Sequence, residues 1–405
     1  MGSPVGRRAF LSGVAGAITA GSAGCSTPRR NTANLDTNPF SVFRGNVERH
    51  GYYPDQTVPS DVEVAWSVPG VNVGDHTAAK SSAVPVPGGD VIIPGDSRRV
   101  YRISSDGDVR WETKITDASR GIHGTPAIAN GLVYLGGYDG VFTALDLETG
   151  DIAWQTPLGD AIGSSPAYHD GTVYIAVEYI PPDGSLFGLD AASGTVEWES
   201  PRPDDHPHST TAIDRESGTI VVGSNDGRCY GWEYPSRSFK WSFNTGEPIK
   251  GPIATYDRGA FFGSWDSNFY RLDLADGTVD WTFNARDDIM SGPAIDRGTG
   301  TVYVGSHDAN LYALDFVTGE RKWQVDTGGL VIGCPTVTAD HVLVGSYADD
   351  GHLTAYNKTT GEQSWRVTQD GWITSTPRVT ADGIYYTERA TDSDAGAAYK
   401  LVDAT

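Results

Sequence analysis

The clearest regularity in the chain is a succession of short runs rich in β-branched and aromatic residues, alternating with polar ones and interrupted by Gly, Asp, Asn and Thr. Residues 292–326 show the unit: "GPAIDR", "GTVYVGS", "NLYALD" and "ERKWQVD" are strand-like runs set off by "GTG", "HDA" and "FVTG". Alternation with period two between turn residues predicts four antiparallel strands. The fourth run closes on a Trp, and the Trp recurs as Trp66, Trp111, Trp154, Trp198, Trp241, Trp281, Trp323 and Trp365, at spacings of 45, 43, 44, 43, 40, 42 and 42 residues. A period near 43 with four strands per unit predicts the blades of a β-propeller.

Each Trp ends a repeated phrase: "ALDLETGDIAW" at 144–154, "GLDAASGTVEW" at 188–198, "RLDLADGTVDW" at 271–281, "ALDFVTGERKW" at 313–323 and "AYNKTTGEQSW" at 355–365. Its D-x-x-T-G part predicts a tight turn between third and fourth strands, in which Asp and Thr oxygens accept backbone amides and Gly supplies a positive φ. The Trp is expected to lay its ring on the neighbouring blade, with the small residue that opens the phrase (Ala144, Gly188, Ala313, Ala355) leaving it room. Two repeats depart from the phrase: "YRISSDGDVRW" is one residue short, and "GWEYPSRSFKW" has lost both Asp and Gly.

The last repeat supplies three strands, "STPRVTAD", "GIYYTER" and "AAYKLVDAT", and stops before a fourth. At the other end "VEVAWSVP", residues 62–69, is a fourth strand with its Trp and no preceding three. Pairing the two fragments closes the ring and removes the edges an open array would expose. The expectation is an all-β fold, one eight-bladed propeller of four-stranded antiparallel blades over 40–405, monomeric and closed between its first and last segments.

With 38% hydrophobic residues, 50 Gly and 23 Pro, the composition suits short strands joined by tight turns. The formal charge is −22, with 39 Asp and 13 Glu against 23 Arg and 7 Lys. This acidic, Lys-poor surface resembles proteins of extremely halophilic archaea, in which molar salt screens the self-repulsion. So negative a chain would repel phosphate backbones, which argues against nucleic acid as a partner.

Residues 1–24 read as an export signal: Arg7 and Arg8 precede "AFL" and an apolar, small-residue run too short to span a bilayer. The paired arginines resemble a twin-arginine signal. "SAGC" resembles a lipobox in which Cys25 would carry a lipid anchor, although Ser22 stands where such boxes usually have Leu. Residues 25–39 are polar and unpatterned, as a flexible tether would be. Removing the leader takes away Arg7 and Arg8 and nothing acidic, so the mature charge is −24. Cys229 and Cys334 fall in different repeats, too far apart around a ring to bridge, and are expected as buried free thiols.

The phrase A-x-D-x-x-T-G-x-x-x-W, complete at 144–154 and 313–323, resembles the tryptophan-docking motif of the pyrroloquinoline-quinone (PQQ) repeat superfamily. Residues 40–54, "FSVFRGNVERHGYYP", are similar to the stretch that often precedes the first blade there. The resemblance implies one of two activities. Quinoprotein dehydrogenases hold PQQ and Ca²⁺ at the channel mouth with a catalytic Asp and usually a vicinal Cys-Cys bridge; this chain has no adjacent cysteines and near-minimal blades. The lipid-anchored propeller of the bacterial outer-membrane assembly machine is a binding scaffold without cofactor, and the leader, tether and compact blades fit it better. A halophilic archaeon would have no outer membrane to assemble, so there the specific task would not transfer. The function expected is a non-catalytic binding or scaffolding propeller on the outer face of the cytoplasmic membrane, with a protein or envelope component as partner and no cofactor. The alternative is a PQQ-dependent oxidoreductase of alcohols or sugars.

Strand alternation puts the loops between second and third strands, and those leading from each Trp strand into the next blade, on one face. The second set approaches the channel and carries His76, Lys80, Arg120, His123, His206, His208, Lys250, Asp287, Asp288 and Trp372, with Arg378 just inside. Convergent polar groups around a ring axis are where a ligand would sit. Each has a plainer reading: His206 and His208 as solvated loop residues rather than metal ligands, Lys250 and Arg378 as counterweights to acidic neighbours, and Trp372 as filler between blades. Asp139, Asp226, Asp266 and Asp308 recur once per blade in turns and are expected to shape hairpins rather than bind Ca²⁺.

Overall fold

The computed structural model describes residues 42–404 apart from 77, 349 and 392–395. The expected export signal, Cys25 and the expected tether lie outside the described residues. Within them the chain forms eight four-stranded antiparallel sheets, each in simple meander order. Seven are continuous in sequence: blade 1 spans 84–114, blade 2 127–157, blade 3 167–200, blade 4 212–244, blade 5 254–284, blade 6 294–326 and blade 7 336–369. Blade 8 takes three strands from the C-terminus, Arg378–Thr380, Gly383–Thr387 and Ala398–Asp403. Its fourth strand is Val62–Val68, paired antiparallel with Ala398–Asp403 so that Val62 faces Asp403 and Val68 faces Ala398. The ring is therefore sealed by the two ends of the propeller, as the sequence requires.

The phrase does the work its residues predict. In blade 2 the Asp146 carboxylate accepts the amides of Glu148 and Thr149 at 2.9 and 3.0 Å, and Gly150 takes φ +75°. A Cβ at Gly150 would lie 2.6 Å from the Trp111 ring of blade 1. Glycine is thus required twice, by the turn and by the ring packed on it. The indole N–H of each docked Trp donates to a turn carbonyl of the next blade: Trp66 to Ser105, Trp111 to Leu147, Trp154 to Ala191, Trp241 to Leu274, Trp281 to Phe316 and Trp323 to Lys358, at 2.9–3.2 Å. Blade 4, which lost the phrase, receives Trp198 edge-on against Trp232 at 6.0 Å instead. Blade 8 draws its third and fourth strands from opposite ends of the propeller and has no turn between them, and Trp365 donates to the Pro59 carbonyl at 2.9 Å. The stretch leading into Val62–Val68 stands in for the missing phrase.

The innermost strands pack around the channel and leave one edge of each sheet facing it. Two devices occupy those edges. The first is a belt of equivalent residues, one per blade: Ser82, Thr125, Ser165, Thr210, Pro252, Gly292, Cys334 and Thr376. The amides of Ser82, Thr125 and Ser165 donate to the side-chain oxygens of Thr125, Ser165 and Thr210 in turn, at 2.9, 2.9 and 3.4 Å. Further round, Gly292 donates to the Cys334 sulfur at 3.3 Å, Cys334 to Thr376 at 3.1 Å and Thr376 back to Ser82 at 3.0 Å. The belt is interrupted where Pro252 has no amide to give and Gly292 no side chain to receive one.

The second device is the segment 42–56, which crosses the far end of the channel as a strap. Its carbonyls at Val47, Glu48, His50 and Gly51 accept the inner-strand amides of Ile213, Thr255, Ile295 and Val337, covering blades 4 to 7 at 2.8–2.9 Å. Arg49, fully buried, donates to the carbonyls of Phe43, Pro166 and Thr211 at 2.8–3.0 Å, and Arg44 to those of Arg49, Pro293 and Pro335. These guanidiniums bind neutral acceptors, and burial lowers the pKa of both, that of Arg49 to about 9. Cys229 and Cys334 are buried free thiols, as expected.

Two outcomes test this architecture. Deleting residues 62–68 leaves blade 8 with three strands and an open edge, and the melting temperature followed by circular dichroism should fall steeply; an unchanged melt would refute closure by that strand. His50 in the strap receives the Asn46 amide on Nδ1 at 2.9 Å and meets the Thr255 carbonyl through Nε2 at 2.8 Å. Burial lowers its pKa from 6.5 to about 4, against the attraction of Glu48 and Asp214. The unfolded imidazole therefore takes a proton between those values while the folded one does not, and stability present above pH 6.5 is lost as pH falls toward 4. His50→Gln should be less stable at pH 7 yet lose less on acidification, by on the order of 1 kcal/mol per pH unit in urea unfolding.

Candidate functional site

Two residues before each belt position stands a second ring that lines the mouth: Lys80, His123, Gly163, His208, Lys250, Met290, Ile332 and Thr374. All eight border one funnel-shaped cavity of about 590 Å³, open space at its mouth included, whose floor is Phe43 of the strap. The repeat explains the arrangement. Each loop from a Trp strand turns inward into the next blade's first strand, so residues at one position of the period meet around the axis. Blades 1 to 5 place Lys, His, Gly, His and Lys there, and blades 6 to 8 place Met, Ile and Thr. One side of the throat is basic and imidazole-rich, the other largely apolar.

On the basic side a chain of polar groups crosses three blades. Asp96 accepts the amides of Ala78 and Ala79 at 2.5 and 2.8 Å through one oxygen and faces His123 Nε2 at 3.5 Å with the other. His123 Nδ1 meets the Tyr138 hydroxyl at 3.0 Å, and His208 Nδ1 meets Glu178 at 3.2 Å. Gly163 lets them converge: a Cβ there would lie 2.7 Å from the Tyr138 oxygen, 2.8 Å from His208 Nδ1 and 2.9 Å from Glu178 Oε1. Burial dominates the electrostatics, disfavouring every charged form. It raises the Asp96 carboxyl to about 6 and that of Glu178 in the same direction, lowers His208 to about 3, and carries His123 well below the usual imidazole range. Lys80 is lowered to about 8 by burial first and by the Lys250 ammonium second.

The structure brings together Lys80, His123, His208 and Lys250 from the sequence-derived set. His76 and Arg120 sit at the outer lip, His76 5.7 Å from the His123 ring and Arg120 over Tyr138 at 5.6 Å. His206 turns aside, with Nδ1 3.4 Å from Asp205 and Nε2 3.1 Å from the Tyr179 carbonyl. Asp287 and Asp288 hold their own loop: their carbonyls receive the Ser306 hydroxyl, and the Asp287 carboxylate caps the Asp288 amide. Trp372 packs on Tyr347 at 4.4 Å with Arg389 over it at 5.1 Å. Arg378 is not at the mouth. It is buried below the belt, stacked at 4.1 Å on Tyr53 of the strap, because its position in the first strand faces the far end of the channel. Asp226 and Asp308 receive turn amides and also those of Asp204 and Arg286, tying each hairpin to the loop beside it.

Sequence reasoning missed Asp96, Tyr138 and Glu178. Tyr138 adjoins the turn residue Asp139, and Glu178 is the one acid inside the apolar run "TVYIAVEY", which is the signal that could have marked it. Asp96, in "PGDS", carried no such signal.

The residues at the mouth do not fit a Ca²⁺-bound polycyclic quinone. The Trp265 face is covered by Lys250 at 3.4 Å and Trp372 lies between Tyr347 and Arg389, so neither offers a free ring to stack on. Among the described residues no three His, Cys, Asp or Glu side chains converge to hold a metal ion, and the two cysteines there are separate and buried.

Comparison with known proteins agrees with the frame. The family model described as outer membrane protein assembly factor BamB matches residues 59–282 and 270–397. The BamB of Yersinia pestis is 26% identical over 177 residues, which is 42% of this chain and 43% of that protein. The quinohemoprotein alcohol dehydrogenase ADH-IIG of Pseudomonas putida is 32% identical over 215 residues, 48% of this chain and 29% of the enzyme. The match thus spans less than half the length of either relative. The crystal structure of the quinohemoprotein alcohol dehydrogenase from Comamonas testosteroni superposes with a TM-score of 0.74 at 16% identity, covering 92% of this chain and 81% of the other, a likeness of fold. With both stretches of the family model laid over blades that carry the docking phrase, the chain belongs to the family described as outer membrane protein assembly factor BamB.

Proposed function

We propose that this protein is an exported, non-catalytic binding propeller whose loop face engages a protein or envelope component. The observation that carries the reading is the mouth itself: a narrow throat with its flanking tryptophans already covered by Lys250 and Arg389. The family match to an assembly factor supports the same reading. Among the described residues no helix is long and apolar enough to cross a membrane; the attachment proposed is a lipid on Cys25, from the lipobox-like "SAGC", and the tether that follows it. The second reading, a PQQ-dependent oxidoreductase, is favoured by the dehydrogenase relatives and by a carboxyl group, Asp96, poised near 6 at the mouth.

Incubating the purified protein with PQQ and Ca²⁺, and recording absorbance and dye reduction with alcohols and sugars, separates the two. No stoichiometric uptake and no turnover are expected; uptake with turnover would replace the binding reading by the enzymatic one. Cys25→Ser should move the protein from the membrane fraction into the medium, and unchanged retention would refute the lipid anchor.

A further inference from the structure

We infer that the throat is a binding site for a small organic monocarboxylate, held by the Lys80 and Lys250 ammonium groups with its apolar body against Met290, Ile332 and Phe43. This deepens the reading of the mouth face as a binding face and does not depend on the identity of a protein partner. Lys80 precedes blade 1 and Lys250 precedes blade 5, so the two stand on opposite sides of an eight-membered ring. They nonetheless border one cavity, and Lys250 is the strongest charged influence on Lys80. Lys80 is largely buried at the cavity wall, and the Lys250 ammonium borders the same cavity while lying over the Trp265 ring.

Neither is paired. Among the described residues Lys80 makes no hydrogen bond and no ion pair, and the contact Lys250 makes is with the Trp265 ring. Burial takes the Lys80 ammonium out of water without an acid paired to it, and an anion beside it, within reach of Lys250, lowers that cost. Asp205, Asp288 and Glu178 attract the Lys250 ammonium without forming an ion pair with it, and neither Asp205 nor Asp288 borders the cavity. Asp96 is turned to the Ala78 and Ala79 amides and His123, Glu178 is turned to His208, and burial shifts both carboxyls toward their neutral forms.

The belt adds donors below the ammoniums. Thr125, Ser165, Thr210 and Thr376 line the cavity, and each hydroxyl oxygen accepts a neighbouring amide while retaining its own hydrogen to donate. The remaining arc decides the kind of anion. Met290 and Ile332 are half-buried side chains on the throat wall and Phe43 closes the floor, surfaces that offer nothing to phosphate or chloride but can cover a short alkyl chain.

The test is calorimetric titration of the full chain at pH 7 in chloride-free buffer with butyrate, acetate, inorganic phosphate and chloride. Butyrate should bind saturably and about fifteenfold more tightly than acetate, since each of its two additional methylenes is worth roughly a factor of four when buried. Phosphate and chloride should be weaker than butyrate. The double variant Lys80→Gln/Lys250→Gln should lose at least tenfold in butyrate affinity while keeping the wild-type circular dichroism and a cooperative melt. Ile332→Thr should shrink the butyrate preference over acetate. Absence of saturable butyrate binding, tighter binding of phosphate or chloride, or undiminished affinity in the double variant would each overturn the inference. Failure of butyrate binding would leave the scaffold reading standing, because that reading is tested separately by PQQ uptake and turnover.

Discussion

A ring of β-sheets leaves the inner edge of every blade facing the channel, and a buried amide or carbonyl without a partner costs about 1–3 kcal/mol. Meeting that requirement shapes most of what is distinctive in this protein. The belt from Ser82 to Thr376 turns six inner amides onto the side chain of the next blade, so most neighbouring sheets are joined at the axis as well as at the rim. The strap completes the task at the far end, where its carbonyls take amides from blades 4 to 7 and its two buried arginines gather carbonyls from blades 3, 4, 6 and 7. Arginine suits this position because its fixed fork of donors reaches several acceptors from one buried stem.

The same requirement gives the propeller two unlike ends. The strap closes one, with Phe43 turned toward the cavity and Arg378 held against Tyr53 behind it. The other opens through a ring whose members the repeat brings to equal depth but whose chemistry the repeat does not fix. Lys80, His123, His208 and Lys250 make one arc basic in a chain whose charge is −22. Burial keeps the imidazoles there neutral and draws the carboxyls toward their protonated forms, which leaves the ammoniums as the charges that dominate the throat.

At the rim, the tryptophans show how a repeat tolerates its own exceptions. Six indoles donate to a turn carbonyl of the following blade. Blade 4 keeps the turn with Arg237 at the glycine position, φ +61°, and meets Trp198 with the Trp232 ring instead, while at blade 8, whose third and fourth strands are not joined by a turn, Pro59 provides the carbonyl. What is preserved is a large ring covered on its far side, because that burial is the main contribution of the interface.

The sequence by itself determined the number of blades, the strand order within them, the docking of Trp on a glycine turn and the closure between residues 62–68 and the C-terminus. All of these rest on local period and turn chemistry, which a linear pattern records. It also placed Lys80, His123, His208 and Lys250 near the axis, since they recur at one phase of the repeat. Only the tertiary structure decided that Lys80 and Lys250 share a cavity across the ring, that Gly163 makes room for Tyr138 and Glu178, and that Arg378 faces the strap rather than the mouth. Those relations join residues from separate blades, and their geometry is set by ring closure and by the strap threaded beneath it. Burial, which then fixes the protonation of Asp96 and the histidines, exists only once the blades have met.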